Sequence, residues 1–360
     1  MTNASQYFSD SYFSSREKFK QICTTMNLEI ESYENPVKGP GGESLFVDAT
    51  WIGPEDAEQV MLLISGTHGV EGFVGSACQI GWINSLQDNP LPENMAALVI
   101  HILNPFGCAS LCVETEENID LNRNFVDYSK PLPVNSYYEE LHSAFTCPEY
   151  EGPLREQAEL QKKQFIEQKG FDAFLEAAAK GQYQHADGFN FGGQQPAWSN
   201  RILKSLLDKY CSKAKMVAVV DYHTGLGEYG DAMLISSLAP DSAGASQLRS
   251  WYDDIHFSTS GDIGYETTGS LAGSIQQSIT HAEVTAIVLE YGTYEIDRIA
   301  SAMLERFWLS HFGEYSSGRG KKIQQEIKNS FYPDEPEWHV KTFQRSQQIL
   351  NQAITGLQKM

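Results

Sequence analysis

Four short apolar runs, each followed at once by polar or glycine-rich residues, constrain the fold of this chain more than any other feature. They cover residues 60–64, 96–103, 216–220 and 284–289. Apolar runs of this length are typical of strands that are buried on both faces of a sheet. Segments with helical spacing lie between them. We therefore expect an α/β fold, with a mixed, mainly parallel twisted sheet and helices on both faces.

The chain has 360 residues, enough for one large domain or two smaller ones. We find no repeat and no clear linker, and we predict a single domain over residues 1–360. Segments 127–153 and 181–200 are predicted to be long irregular insertions, which usually carry function in compact domains. Helices are predicted over residues 12–27, 73–83, 154–180, 200–213, 243–256, 295–312 and 337–357.

The charge and the cysteines exclude several classes of protein. A formal net charge of -21 argues against nucleic-acid partners and against anionic membranes, since both require clustered Lys and Arg. No apolar stretch is long enough to span a membrane and no leader is evident, so we expect a cytoplasmic protein. Six cysteines without CxxC spacing indicate neither a thiolate zinc site nor a disulfide framework. The oligomeric state stays open.

Candidate site residues follow the predicted strands. His68 and Glu71 have H-x-x-E spacing, which can place both side chains on one cation, although His311 and Glu314 repeat that spacing at a predicted helix end. His68 differs because it lies just past a buried strand, where open α/β sheets build their sites. Three further polar residues lie within three positions of other strand ends; they are Asn104, His223 and Glu290.

These residue types suit a catalytic metal centre. Two imidazoles and one carboxylate, from His68, His223 and Glu71, leave one zinc coordination position open. Glu290 directly follows an apolar run, where partial dehydration raises a carboxyl pKa towards that of a general base. The segment 118–125 combines a carboxylate, amides and an arginine; it suits capture of a substrate carboxylate, or is a turn with surface charges.

The ordered motifs resemble a known family. They are G-T-H-G-V-E-G at 66–72, N-P-F-G at 104–107, N-I-D-L-N-R-N-F at 118–125, F-G-G and W-S-N within 181–200, D-Y-H-T-G-L-G at 221–227 and L-E-Y-G-T at 289–293. From about residue 40 to 312 the chain resembles the zinc carboxypeptidase-like superfamily, in particular its DUF2817 branch. More distantly it is similar to the aspartoacylase and succinylglutamate desuccinylase branch.

The resemblance implies one zinc ion on His68, Glu71 and His223, with Glu290 as the catalytic residue that activates water. It also implies that Asn122 and Arg123 bind a terminal carboxylate of the substrate. Asp120 is implied to contact the His68 imidazole on the side away from the metal and to fix its tautomer.

One departure from the family concerns an arginine. Members usually carry one shortly before the D-x-N-R motif to stabilise an oxyanion, whereas residues 110–117 contain none. Three explanations are open: another residue stabilises the oxyanion, zinc does so alone, or the activity is reduced or altered.

Three functions are compatible with these residues. The first is a zinc-dependent metallopeptidase or amidohydrolase that cleaves a peptide or acyl-amino-acid bond, by metal-activated water, in a small-molecule or peptide substrate with a free carboxylate. The alternative is a metal-containing ligand-binding or sensor protein. A phosphate-cradling loop at 66–72 is the third, and its glycine spacing is against it. Of the other histidines, we expect His101 in the core, whereas His185, with Asp187, is a candidate for lining the pocket.

Overall fold

A computed structural model describes residues 4–260 and 267–359, and its centre is a single eight-stranded sheet. The strands are β1 (Glu31–Glu34), β2 (Phe46–Ile52), β3 (Gln59–Ser65), β4 (Met95–His101), β5 (Met216–Tyr229), β6 (Ala232–Ser236), β7 (Ile255–Phe257) and β8 (Glu283–Gly292). Their order across the sheet is β1-β2-β4-β3-β5-β8-β6-β7.

The four apolar runs of the sequence form the centre of this sheet. Strands β4, β3, β5 and β8 are neighbours and run parallel. The pairs β1–β2, β2–β4 and β6–β8 are antiparallel, and β6–β7 is parallel. The expected mixed, mainly parallel sheet is therefore confirmed.

Helices cover both faces of the sheet, as predicted. They are α1 (Tyr12–Thr25), α2 (Gly72–Ser85), α3 (Pro105–Ser110), α4 (Ser136–Phe145), α5 (Pro153–Lys169), α6 (Phe171–Ala179), α7 (Trp198–Tyr210), α8 (Ala243–Trp251), α9 (Leu271–Ser278), α10 (Ile296–Phe312), α11 (Gly318–Phe331) and α12 (Pro336–Gln358). One apolar core joins the sheet to α1, α2 and α12, and a second joins the opposite face to α7 and α9. Within the described ranges, no helix is both long and apolar enough to cross a bilayer.

Two predictions about helices were wrong. The predicted helix over 154–180 is two helices, because Gly170 adopts a φ of +91° that ends α5. The segment 127–153 is not irregular throughout, since it contains α4, which begins where the Asn135 side chain accepts a hydrogen bond from the Tyr138 amide. Segment 181–200 has only isolated β-bridges before α7.

The strands that carry the candidate site are longer than their apolar runs. Both β5 and β8 continue beyond the predicted ends, so His223 and Glu290 lie within strands and face each other in register. Past His223 the ladder is interrupted at Gly225, whose φ of +130° suits only glycine. This interruption turns the backbone of β5 towards Glu290.

Candidate active site

Gly69 and Gly107, which belong to two different sequence motifs, are in contact and position the H-x-x-E segment at the carboxyl end of β3. Residues Gly69–Glu71 form a 3-10 turn, which places His68 and Glu71 on the same side because residues three apart are aligned in such a turn. A Cβ on Gly69 would lie 2.1 Å from the carbonyl carbon of Gly107. Only glycine permits this contact with α3, so the first two motifs of the sequence act together.

Glu71 lies between the two candidate ligand histidines. Its Oε1 is 2.8 Å from Nδ1 of His68, and its Oε2 is 3.1 Å from Nδ1 of His223. Ligand atoms from all three residues lie within 4.8 Å of one another. Since zinc bonds are about 2 Å long, one ion can reach all three after small side-chain shifts.

An aspartate contacts the Nε2 atom of each of these imidazoles, whereas Nδ1 faces Glu71. Nε2 of His68 is 3.1 Å from Asp120, and Nε2 of His223 is 3.0 Å from Asp221. An Nε2–H that donates to a carboxylate leaves the Nδ1 lone pair directed at Glu71, the tautomer that a metal ligand needs. Asp221 was missed by sequence analysis, although its position two residues before His223 in a strand places both side chains on one face.

The charges of this cluster fit a divalent cation. Burial would lower the pKa of His68, but Glu71 and Asp120 outweigh it and raise that pKa to about 9. Burial would also lower the pKa of His223, but Asp221 and Glu71 outweigh it and hold that pKa well above its usual value. Three buried carboxylates around two imidazoles carry excess negative charge, which a metal ion at the centre would neutralise.

Glu290 lies beside this cluster, opposite His223 across the β5–β8 ladder. Its side chain is buried, and Oε1 accepts a hydrogen bond from the amide of Leu226 at 3.2 Å. Burial, and then the negative charge of Glu71, raise the pKa of the Glu290 carboxyl group. A carboxylate with a raised pKa next to a metal site is suited to accept and return a proton.

Asn122 and Arg123 line a cavity together with this cluster, but other groups of the protein already use part of their hydrogen-bonding capacity. Oδ1 of Asn122 accepts from the amide of Leu271, which leaves the Nδ2 donors. The Arg123 guanidinium donates through Nε and Nη2 to the carbonyl of Ala179 and through Nη1 to the carbonyl of Asn122. One N–H on each terminal nitrogen makes no hydrogen bond, although Nη1 also forms an ion pair with Asp120 at 3.7 Å.

The cavity has a volume of about 250 Å³ and is lined by the candidate site residues and by an apolar wall. The wall includes side chains of α6 and α10; examples are Phe174, Leu175, Ile299, Met303 and Leu304. Among the described residues that line it, Arg123 is the sole arginine or lysine. Among these lining residues, no second arginine or lysine therefore takes the place of the arginine that residues 110–117 lack.

Four other residues from the sequence analysis lie elsewhere. Asn104 caps α3 and donates to the carbonyls of Val113 and Glu114, so it supports the loop and does not line the cavity. The suggestion that His185 and Asp187 line the pocket was wrong, because their loop turns towards α4. His101 is fully buried in the core, as expected.

The comparisons with known proteins agree with this architecture. A family model described as "Protein of unknown function (DUF2817)" matches residues 8–345. Bovine thrombin-activatable fibrinolysis inhibitor, solved with a tick carboxypeptidase inhibitor, is similar in structure, with 11% identity, 98% of each chain covered and a TM-score of 0.56. This likeness shows the fold.

Two further solved structures are more loosely similar. Carboxypeptidase A from Helicoverpa armigera has 13% identity, covers 91% of this chain and 75% of its own, and has a TM-score of 0.46. Succinylglutamate desuccinylase from Chromobacterium violaceum has 14% identity, covers 88% and 74%, and has a TM-score of 0.39. Among curated proteins, none matches the chain in sequence.

Proposed function

Since the chain belongs to the DUF2817 family and has a carboxypeptidase-like fold, we propose that it is a zinc-dependent hydrolase of amide bonds. The proposed substrate is a peptide or acyl amino acid with a free carboxylate. One observation carries the proposal: His68, Glu71 and His223 converge with both Nδ1 atoms directed inwards, and Glu290 lies beside them.

His68, Glu71 and His223 are the proposed zinc ligands. Two nitrogens and a carboxylate are the protein ligands of a catalytic zinc site, which keeps one position open. Zinc held in this way supplies a Lewis acid and lowers the pKa of water to about 7. Asp120 and Asp221 keep the two imidazoles in the ligating tautomer.

Glu290 is the proposed proton carrier. Its Oε1 is fixed by the Leu226 amide, so Oε2 takes the proton of the attacking water as the new C–O bond forms. When the C–N bond breaks, the same oxygen gives that proton to the leaving nitrogen. The products are a carboxylic acid and an amine, which become a carboxylate and an ammonium group when the acid proton passes to the amine.

The other residues that line the cavity would determine which substrates fit. The Nδ2 group of Asn122 and the two remaining N–H groups of Arg123 are proposed to bind the substrate carboxylate. The apolar wall formed by α6 and α10 favours an apolar group next to that carboxylate. Substrates with a Phe or Leu residue at the free carboxyl end fit this arrangement best.

The test is a panel of N-acyl amino acids and short peptides, whose terminal residue is Phe, Leu, Lys or Asp. We expect turnover that chelation abolishes and added zinc restores, and we expect it to be fastest for Phe and Leu. Zinc-independent turnover, or a protein that binds no zinc, would contradict the proposal.

A second candidate function is a metal-containing ligand-binding or sensor protein. It is favoured by one observation, that Arg123 is the sole arginine or lysine among the described cavity-lining residues. The same panel separates the two functions when it is combined with calorimetry. Zinc-loaded protein that binds acyl amino acids without forming products would support this alternative over the hydrolase.

A further inference from the structure

A second group of histidines and carboxylates lies outside the proposed active site, where α4 meets the loop after α6. Ligand atoms of His142, His185 and Asp187 lie within 4.8 Å of one another. The two imidazole rings are stacked, with centroids 3.8 Å apart and planes inclined by 19°. A fourth group, Glu139, lies one helical turn before His142 and contacts His185.

Each imidazole in this group has one nitrogen held by a neighbour. Nε2 of His185 is 3.0 Å from a carboxylate oxygen of Glu139, and Nδ1 of His142 is 3.3 Å from the hydroxyl of Tyr138. Carboxylates bound to the outer nitrogen of a histidine are typical of metal ligands, since they fix the tautomer. Nδ1 of His185 and Nε2 of His142 are the nitrogens left for an ion.

The charge of the group also fits a divalent cation. Two stacked imidazoles repel each other when both are protonated. A metal ion binds the neutral form of imidazole, in which one ring nitrogen keeps its lone pair. Glu139 and Asp187 supply two negative charges beside the rings, and a divalent ion balances them.

Hydrogen bonds from buried and neighbouring side chains fix the backbone of the loop that carries His185 and Asp187. The buried side chain of Gln182 accepts from the amides of residues 184 and 185 and donates to the carbonyl of His185. Asn118 donates to the carbonyls of residues 186 and 188. Ligands on a loop with a fixed backbone lose little conformational freedom when they bind.

From these contacts we propose that His142, His185 and Asp187, supported by Glu139, bind a second divalent transition-metal ion, of which Zn²⁺ is the best fit. Imidazole and carboxylate ligands suit zinc. The site is independent of the proposed catalytic function, because it shares no residue with the cluster around Glu71.

An ion at this site would join two segments that both reach the active-site cavity. α4 ends at Phe145, and the loop that carries His185 continues into Phe189; both phenylalanines line the cavity. The bound metal would therefore fix the position of one cavity wall, without itself contacting the proposed catalytic residues.

The first experiment counts zinc ions. The full-length protein is dialysed against excess Zn²⁺, washed, and subjected to elemental analysis, with circular dichroism to confirm that each variant is folded. We expect two ions in the wild type, one in His185→Ala and one in His223→Ala. The matched control is His256→Ala, because His256 also faces an aspartate, Asp254, but belongs to no such histidine group among the described residues; it should keep two ions.

The outcomes separate this proposal from the proposed function. A wild type that binds one ion and loses it in His185→Ala supports the second site and contradicts the catalytic one. If His185→Ala retains every ion that the wild type binds, the second site is refuted.

The second experiment isolates the site in the His223→Ala background, where the catalytic cluster has lost a ligand. Added Zn²⁺ should slow hydrogen exchange several-fold in residues 136–145 and 182–190. Replacing the supporting carboxylate, in Glu139→Gln, should weaken zinc binding about 10–100-fold. Exchange that is unchanged by zinc, with an unchanged affinity in Glu139→Gln, would overturn the proposal.

Discussion

Two histidines in the central sheet have pKa values that are shifted in opposite directions. His101, at the end of β4, and His223, in β5, are both almost completely buried. His101 stacks on Phe19 with centroids 4.3 Å apart, and its Nε2 contacts the Ser76 hydroxyl at 2.8 Å. His223 lies between the carboxylates of Glu71 and Asp221.

The difference shows that burial by itself does not make a histidine functional. Burial lowers the pKa of His101 to about 3, so this ring is neutral in the core. Around His223 burial acts in the same direction, yet two carboxylates outweigh it and raise the pKa. The carboxylate neighbours, and not the depth, distinguish a candidate ligand from a packing residue.

Removing each histidine should give the largest contrast. We expect His223→Ala to lose both catalytic-site zinc and turnover, with zinc affinity at that site reduced more than about 100-fold, since the loss of a ligand exceeds that of an outer partner. His101→Gln should keep the ion at that site. Zinc affinity and turnover measured on both variants check this, and the comparison fails if His101→Gln also loses the ion.

Replacing Glu290 tests the site without removing a proposed ligand. Glu290→Gln should lower turnover about 10²–10⁴-fold, because the amide cannot accept the proton, while zinc content is unchanged. Full activity in this variant would rule out Glu290 as the proton carrier. Steady-state kinetics with a zinc determination on the same sample provides the measurement.

The outer partners of the two histidines provide a finer contrast. Asp221→Ala should weaken zinc binding about 10–100-fold, because Nε2 of His223 loses the carboxylate that fixes its tautomer. Ser76→Ala removes the partner of His101 and should cost about 1–3 kcal/mol of folding stability with no change in zinc affinity. Equal zinc affinities in the two variants would contradict the assignment of Asp221.

The smallest effect concerns pH. The folded-state pKa of His101 is depressed from 6.5 to about 3, so its contribution to stability is complete above pH 6.5 and is lost as pH falls towards 3. In His101→Gln the unfolding free energy should therefore decline less steeply, by up to about 1.4 kcal/mol per pH unit. Denaturant unfolding at pH 7, 6 and 5 measures this, and identical slopes would show that His101 is not buried as a neutral ring.

Much of the fold followed from the sequence, and the failures have identifiable causes. The central strands were predictable because unbroken apolar runs can be buried only inside a covered sheet. α4 was missed because its sequence, SYYEELHSAF, is mostly polar and aromatic, and its apolar side chains become buried only against α5 and α6. Two of the three hydrogen bonds that Arg123 donates were unpredictable because their acceptor, Ala179, is 56 residues away.

The sequence by itself determined which runs become the central strands and which polar residues stand at or near their ends, because both follow from the local order of residues along the chain. Only the tertiary structure decided which carboxylate faces which imidazole, since those partners are as distant as His68 and Asp120, 52 residues apart. The same holds for His142 and His185. Protonation and metal binding depend on neighbours in space, and these are set when the sheet brings separate segments together.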